Sequence, residues 1–420
     1  MARVARTVEA TVHTARLALL GGVVGVLAGV SSALFLETLA WATDTRVAHG
    51  WLLFLLPIAG LVLGVVYLHL AGTAAAGNNL IIDEIHTPAA WIPRRMAPLV
   101  YGATIVTHLF GGSAGREGTA IQMSGSLTEL VTRRLFPLGA PERRLLLIAA
   151  IAGGFGAVFG VPIAGLVFAL EVQSIGRIRH DAIVPALAAS IVGDRVVAVL
   201  DVHHLAVPTI GPVELSIGLV AKALVAGVAF GLTATAFIEL THAVRRGAAR
   251  LLRWSPWRPF LGGCLVIALT GLVGTRDYLG LSLPLITASL AGGAGVAVLA
   301  FAWKLLFTAV TLGSGFQGGE VTPLFVIGAT LGATLGWALH APTPLFAAMG
   351  FVAVFAGATN TPIACTVMAV ELFGSGPIVP VAVACVLSYV CSSHRGIYIS
   401  QRIAVSKGVV PVDGEPRLGD

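Results

Sequence analysis

The chain has 420 residues, of which 56% are hydrophobic and only 11% are charged. This composition, with a mean hydropathy of +0.91, excludes an ordinary soluble domain and indicates a polytopic membrane protein. The formal net charge of +6 comes largely from arginines in predicted loops. Retention of basic loops on the cytoplasmic side explains these arginines better than a nucleic-acid partner does. We therefore predict an all-α, multi-pass membrane protein that binds no nucleic acid.

Apolar runs predict membrane-spanning helices along most of the chain. Arg3, Arg6 and Arg16 precede the first run, so residues 1–16 are predicted to be a cytoplasmic N-terminal segment, without a cleavage pattern for a signal peptide. Several runs are long enough to cross a bilayer core, among them 17–42, 51–71, 145–170, 213–237, 259–273 and 296–312. Other apolar stretches are too short or are interrupted. The 51 glycines suit closely packed helices and helices that stop inside the membrane.

Two sequence blocks recur in the same order in the two halves of the chain. Val161-Pro162-Ile163-Ala164, followed by Glu171, recurs as Thr361-Pro362-Ile363-Ala364, followed by Glu371. Upstream, 112–120 (GSAGREGTA) corresponds to 315–323 (GFQGGEVTP). This pattern predicts an internal duplication, with the first transmembrane repeat over 17–204, the second over 205–404 and a short polar C-terminal tail over 405–420.

The residues between the two halves allow two interpretations. The segment from Asp201 to Pro212 is polar, and it contains His203 and His204. These histidines are either a metal pair or part of a solvated loop, and the small number of ligands favours the loop. The four cysteines have no CxxC spacing, so the sequence predicts neither a metal site nor a disulfide framework.

The most informative local feature is Gly115-Arg116-Glu117-Gly118-Thr119, which places an acid and a base within apolar surroundings. Ionisable residues at membrane depth usually face a cavity, a partner or an ion path. Glycine-rich breaks at 76–80, 111–118 and 313–319 each precede an apolar helical segment. The free N–H groups and the positive dipole at such helix starts attract anions, so we predict an anion site between the repeats.

Together, the GREG motif, Gly319-Glu320-Val321-Thr322-Pro323 and Tyr398 resemble the CLC anion transporter family over nearly the whole chain. The resemblance implies a homodimer in contact with membrane lipid. Each subunit of such a dimer contains its own anion pathway, formed by two inverted-topology repeats of tilted, broken and re-entrant helices.

Departures from the chloride-handling members are similar to the CLC-F branch. The chain has Gly77-Asn78-Asn79-Leu80-Ile81 where those members have GSGIP, Thr119 where they have proline, and Val321 where they have phenylalanine. Val172 follows Glu171, so the second inner glutamate of proton-coupled chloride exchangers is absent. The resemblance implies a fluoride/proton antiporter that exports fluoride across the bacterial cytoplasmic membrane without a cofactor or metal.

The resemblance also implies roles for the two acidic residues. Glu117 is expected to swing between the anion path and a protonated position, coupling the two ions; otherwise it satisfies donors at its own helix start. Glu320 is expected to transfer protons, unless it is merely solvated in a vestibule, and Gln317 is a candidate to orient it. Asp83 and Glu84 form either a polar face or an acidic strip for protons.

The predicted anion-binding residues are Asn78, Asn79, Arg116, Gly118, Thr119, Val321, Thr322 and Tyr398. The amides of the asparagines are donors suited to fluoride, although an Asn pair before a helix is also an ordinary N-cap. Thr119 and Thr322 either donate to an anion or bond back to their own helices. Arg116 is expected to have a structural role more than direct anion contact, and Tyr398 is either an anion donor or an interfacial belt residue.

Other functions remain as alternatives. A chloride/proton exchanger lacks support because its expected serine, proline and second glutamate are missing, and a passive fluoride or anion channel is a further alternative. An intramembrane enzyme is not predicted, since the sequence has no Walker-type Gly-Lys-Ser/Thr and no HExxH. Glu171 and Glu371 end equivalent segments and are predicted to have a structural task, such as bonding backbone.

Overall fold

The computed structural model describes residues 2–89, 91–135, 138–407 and 415–419, and the regular secondary structure of these residues is almost entirely helical. Two short parallel strands, β1 (Ser174–Ile175) and β2 (Arg402–Ile403), form the sheet of the described part. The predicted all-α class is therefore confirmed. Residues 408–414 of the predicted polar tail, and Met1 of the predicted N-terminal segment, lie outside the described residues.

The first half contains long helices and short broken ones. Its α-helices are α1 (Ala2–Ala48), α2 (Leu56–Val66), α3 (Asn78–His86), α4 (Met96–Leu109), α5 (Glu117–Leu135), α6 (Ala140–Phe159), α7 (Pro162–Glu171) and α8 (Ile183–Val199). 3₁₀ or π turns cover Gly50–Leu55, Tyr67–Ala71, Gly72–Ala76 and His180–Ala182. The unbroken helix α1 also includes residues 2–16, which the sequence assigns to a cytoplasmic segment.

The second half repeats this order after a connection over residues 200–216. Its helices are α9 (Ile217–Leu251), α10 (Trp257–Val273), α11 (Leu283–Leu290), α12 (Ala300–Ser314), α13 (Val321–Ala338), α14 (Thr343–Thr359), α15 (Pro362–Phe373) and α16 (Ile378–Cys391). The connection coincides with the polar segment that the sequence predicts between the halves.

Five helical segments in the described part of the chain are long and apolar enough to cross a membrane: Thr11–Ala48, Gly50–His86, His180–Val199, Ile217–Leu251 and Val321–Ala338. The predicted single run over 145–170 is wrong, because α6 ends before Gly160 and α7 begins at Pro162. Gly160 adopts a left-handed φ of 72°, and proline suits the first position of a new helix. The predicted run over 213–237 becomes helical only at Ile217.

The same break occurs in the second half. Asn360 ends α14 with a left-handed φ of 62°, and Pro362 begins α15. The paired helices α6–α7 and α14–α15 are thus equivalent in local structure and in sequence. Their aromatic side chains meet in one core, where the Phe155 ring stacks 4.3 Å from Phe168 and 6.0 Å from Phe355.

Close backbone packing holds α13 against α14. A Cβ atom at Gly328 would lie only 1.9 Å from the Gly350 carbonyl oxygen. Inside a bilayer, where lipid is as apolar as the core, helix association depends on such close van der Waals contact. The rigid α13–α14 pair fixes the start of α13, which faces the start of α5 at the centre of the molecule.

Candidate anion and proton site

The two repeats meet at a backbone bridge between Gly115 and Gly319. The Gly115 N–H donates to the Gly319 carbonyl at 2.6 Å, and the Gly319 N–H donates back at 2.9 Å. A Cβ atom at either glycine would lie 2.7 Å from Oε2 of Glu117. Only glycine therefore leaves room for the Glu117 carboxylate between the starts of α5 and α13.

The Glu117 carboxylate crosses from the first repeat to the second. Its side chain is fully buried. Oε2 accepts hydrogen bonds from the backbone N–H groups of Thr322 and Arg116, both at 3.1 Å, and Oε1 accepts from the Thr322 hydroxyl. The carboxylate thus occupies donors at the positive end of α13, where a small anion would also bind.

Arg116 lies beside this site in largely apolar surroundings. It is 9% exposed, its guanidinium carbon lies 6.0 Å from the centre of the Phe159 ring, and its Nε has no hydrogen-bond partner among the described residues. A cavity of about 30 Å³ lies against Arg116, Thr322 and the rings of Phe159, Phe325 and Phe351. This volume suits one water-sized species beside the Glu117 acceptors.

The two asparagines have different surroundings. Gly77 occupies the N-cap position of α3, so Asn78 and Asn79 are helical residues and the N-cap interpretation is wrong. Nδ2 of Asn78 lies 3.0 Å from the position of a Cβ atom on Gly118, and its Oδ1 has no partner in the described part of the chain. Oδ1 of Asn79 instead accepts the Ser400 N–H at 3.0 Å. The geometry therefore turns Asn78, rather than Asn79, toward the starts of α5 and α13.

The threonines also differ between the repeats. The Thr119 hydroxyl pairs with the Thr104 hydroxyl of α4 at 2.7 Å, whereas the Thr322 hydroxyl donates to Glu117. Thr119 thus bonds neither to its own helix nor to the Glu117 carboxylate. Val321 is fully buried as the first residue of α13. The anion contacts predicted for Thr119, Val321 and Gly118 stay predictions.

Glu320 occupies the N-cap position of α13 and is half-buried. Its Oε2 lies 3.9 Å from the position of a Cβ atom on Gly118, so the side chain faces the first repeat. Gln317 donates to the Gly315 carbonyl at 3.2 Å, and this contact does not orient Glu320.

Tyr398 is also buried, and the interpretation as an interfacial belt residue does not fit its position. The side chain is 3% exposed, and its hydroxyl has no hydrogen-bond partner among the residues described. A buried donor of this kind fits the anion contact that the sequence predicts.

Glu171 and Glu371 make reciprocal contacts between the repeats. Glu171 accepts the N–H groups of Ile363 and Ala364 at 3.1 and 2.8 Å, and Glu371 accepts those of Ile163 and Ala164 at 2.9 and 2.7 Å. Each carboxylate thus caps the helix start in the other repeat. The predicted structural task, bonding of backbone, is confirmed.

Sequence reasoning missed Lys304, which is fully buried in α12. Its ammonium donates to the Gly280 and Tyr278 carbonyls at 2.7 and 3.2 Å and to the Ser113 and Ser282 hydroxyls, both at 2.9 Å. The lysine therefore fixes the loop just before the GREG motif. A single lysine inside the apolar run 296–312 was the available signal, because a cation at that depth requires acceptors.

Glu84 belongs to a buried ion-pair cluster. Nη2 of Arg143 lies 2.9 Å from Glu84 and 2.7 Å from Glu129. This pairing makes Glu84 part of a structural network between α3, α5 and α6, whereas Asp83 remains partly exposed.

The histidines between the repeats do not form a metal group. His203 is exposed, and His204 packs over Gly160. Among the described residues, no group of three or more His, Cys, Asp or Glu side chains is arranged to hold a metal ion.

Comparisons with known proteins find relatives over most of the chain. A family model described as voltage gated chloride channel matches residues 59–393. A chloride/fluoride channel protein from Pseudomonas syringae pv. tomato is 47% identical over 412 residues, covering 96% of this chain and 89% of the relative. An H(+)/Cl(-) exchange transporter from Vibrio cholerae serotype O1 is 27% identical over 389 residues, covering 83% of this chain and 80% of that relative.

Solved structures have the same fold. The crystal structure of a CLC-type fluoride/proton antiporter matches with a TM-score of 0.88 and 33% identity, covering 92% of this chain and 98% of that one. A slow cyanobacterial Cl⁻/H⁺ antiporter matches with a TM-score of 0.77, covering 90% of this chain and 94% of that one. At 19% sequence identity, this match shows a similarity of fold alone.

Proposed function

Because the chain belongs to the CLC family, we infer that it is a fluoride/proton antiporter in which Glu117 couples the movements of the two ions. One observation carries this inference: the Glu117 carboxylate occupies the Thr322 N–H and hydroxyl, donors that suit a small anion. The identity of 47% to a chloride/fluoride channel protein supports fluoride as the anion.

The coupling follows from competition for these donors. An ionised carboxylate and a fluoride ion cannot both occupy the start of α13, because two negative charges would repel at close range. Protonation removes the charge of Glu117 and weakens its hydrogen bonds, so fluoride displaces the side chain. Departure of fluoride and loss of the proton allow the carboxylate to return.

The other contacts supply the rest of the pathway. Asn78 presents an amide donor beside Gly118, and Tyr398 presents a buried hydroxyl. Fluoride is compact and accepts hydrogen bonds strongly, so amide and hydroxyl donors suit it. Glu320, whose Oε2 lies 3.9 Å from where a Cβ atom on Gly118 would stand, is the second acidic group beside the path and transfers protons.

The wider setting completes the proposal. The protein acts as a homodimer surrounded by lipid in the bacterial cytoplasmic membrane, and each subunit exports fluoride by using the inward proton gradient. Bacterial relatives and the apolar helices support this setting. Neither a cofactor nor an enzymatic reaction is required.

Reconstitution into proteoliposomes tests the function directly. Vesicles loaded with fluoride or with chloride are followed with an ion-selective electrode and an external pH electrode at the same time. Fluoride release with matching proton uptake, and little chloride release, is the expected result. Equal chloride movement would assign a general anion exchanger, and fluoride release without proton movement would assign a channel.

A further inference from the structure

The backbone turn that carries Tyr398 is fixed at its base by residues of both repeats. The Gln401 N–H donates to the Tyr398 carbonyl at 3.1 Å, which closes the turn. The Gln401 amide donates to the carbonyls of Val172 and Thr359 at 2.7 and 2.8 Å. The Ile397 N–H donates to the Ala358 carbonyl at 2.9 Å. These bonds hold the ends of the turn but do not contact the helix that carries Asn78.

Ser400 makes the connection to that helix. Its N–H donates to Asn79 Oδ1 at 3.0 Å, and its hydroxyl donates to Asp83 Oδ2 at 2.9 Å. Asn79 and Asp83 lie one helical turn apart on the same face of α3, so both acceptors face the turn. The first residue of α3 is Asn78. One serine therefore joins the turn of Tyr398 to the helix of Asn78.

The C-terminal segment reinforces this connection. Nη2 of Arg417 lies 3.2 Å from Asp83 Oδ1, the oxygen that Ser400 does not use. Backbone bonds from Leu418 to the Gln401 carbonyl at 2.8 Å and from Gly419 to the Ile399 carbonyl at 3.0 Å hold the segment against the turn. Arg417 thus holds the Asp83 carboxylate that accepts the Ser400 hydroxyl.

We propose that Ser400 is a positioning residue for ion exchange, which fixes Tyr398 relative to Asn78 and thereby keeps the anion path closed between these two donors. The proposal rests on the proposed function, in which Asn78 and Tyr398 are anion donors. It also gives Asn79 a different task from its neighbour: Asn79 accepts a hydrogen bond from Ser400 and leaves Asn78 to face the ion.

Loss of this connection has a specific consequence for coupling. If the turn that carries Tyr398 separates from α3, the Tyr398 side chain can move, although its hydroxyl is still a hydrogen-bond donor. Fluoride then passes Tyr398 without proton movement on Glu117, and the number of fluoride ions moved per proton rises. A general loss of folded protein would instead lower both fluxes together.

The test measures fluoride efflux and proton uptake simultaneously in proteoliposomes containing the full chain. Ser400→Ala is expected to raise the fluoride-to-proton ratio about tenfold, the effect of one lost hydrogen bond to a charged acceptor. Ser400→Thr, which keeps a hydroxyl, restores the ratio. Asp83→Ala, which also removes the ion pair with Arg417, raises the ratio at least as much as Ser400→Ala. Asp83→Asn, which keeps an acceptor oxygen, has a smaller effect. Ser406→Ala, a change six residues along the same segment, leaves the ratio unchanged.

A double-mutant cycle separates this proposal from the proposed function. If Ser400 acts through Tyr398, the Tyr398→Ala and Ser400→Ala variants raise the ratio, and the double variant equals Tyr398→Ala alone. An unchanged ratio in Ser400→Ala, or an equal fall in both fluxes, would overturn the positioning role while leaving Tyr398 in place. An unchanged ratio in Tyr398→Ala would overturn the anion-donor role of Tyr398 itself. Thermal unfolding in detergent verifies that each variant is folded.

Discussion

Two pairs of glutamates occupy corresponding positions in the repeats, and the pairs behave differently. Glu171 and Glu371 make the same contact, each capping a helix of the other repeat through two N–H groups. Glu117 and Glu320 do not share a role. Glu117 is fully buried on the donors of Thr322, whereas Glu320 is half-buried at a helix N-cap.

This difference indicates that one duplicated pair of glutamates is structural and that the other has a function in transport. A contact that is identical in both repeats holds the halves together in the same way from either side. Two carboxylates in unequal surroundings are suited to different tasks, one on the anion donors and one beside them. Substitutions in the two pairs should therefore have different kinds of effect.

The largest effect is expected for Glu117→Gln. A glutamine keeps the size of the side chain and still accepts from Thr322, but it cannot take up a proton. Proton uptake coupled to fluoride efflux should fall to the level of protein-free liposomes, measured with a pH electrode. Glu214→Gln, at an exposed position between the repeats, is the matched control and should remain coupled. Normal proton uptake in Glu117→Gln would remove Glu117 from the mechanism.

Glu320→Gln should have the next largest effect. Removal of a group that transfers protons typically costs about a hundredfold in rate, and we expect coupled proton uptake to fall by about that factor. Fluoride binding, measured by isothermal titration in detergent, should persist because the Thr322 donors are unchanged. Retention of full proton uptake would indicate that Glu320 is only a solvated vestibule residue.

Glu171→Gln and Glu371→Gln should each lower stability by a similar amount. Each change removes a negative charge from a helix start, which costs about 1–2 kcal/mol in a partly buried setting. Thermal unfolding in detergent should show two similar decreases in midpoint, and the fluoride-to-proton ratio should stay at the wild-type value. Unequal decreases in the unfolding midpoint, or a changed fluoride-to-proton ratio in only one of the two variants, would show that Glu171 and Glu371 do not have equivalent roles.

The smallest effect is expected for Thr104→Val. This change removes the hydroxyl that pairs with Thr119 and should cost about 1 kcal/mol of unfolding free energy. Fluoride-coupled proton uptake per folded protein should be unchanged, as measured in the same liposome assay. A weaker apparent fluoride affinity would instead connect the Thr104–Thr119 pair with the ion.

The sequence alone predicts the membrane class, the internal duplication and the central acidic residue, because charged residues are rare in buried segments and the motifs recur at a fixed spacing. The apolar runs establish the membrane class, and the recurrence of proline and glutamate at the same spacing reveals the duplication. Glu117 is identified by its position alone, since an acid at that depth requires a special environment.

Other features depend on contacts between distant residues, which no local pattern contains. The break within 145–170 is instead a local feature, because it follows from the left-handed Gly160 and from Pro162 at the start of α7, and the apolar composition of the run concealed it. The difference between Asn78 and Asn79 depends on Ser400, more than 300 positions away in sequence. Lys304 is visible in the sequence as one cation in an apolar run, but its acceptors, which lie in two loops, are apparent only from the structure.

The exchanged caps also have a consequence for how the protein is made. Helix α7 begins at Pro162, but its N–H groups at residues 163 and 164 are satisfied only by Glu371. A ribosome delivers Glu371 long after α7 has entered the membrane, and unsatisfied donors are costly in lipid. The start of α7 therefore lacks its cap while the first repeat is being synthesised. The two repeats reach their final packing only after Glu371 has been translated.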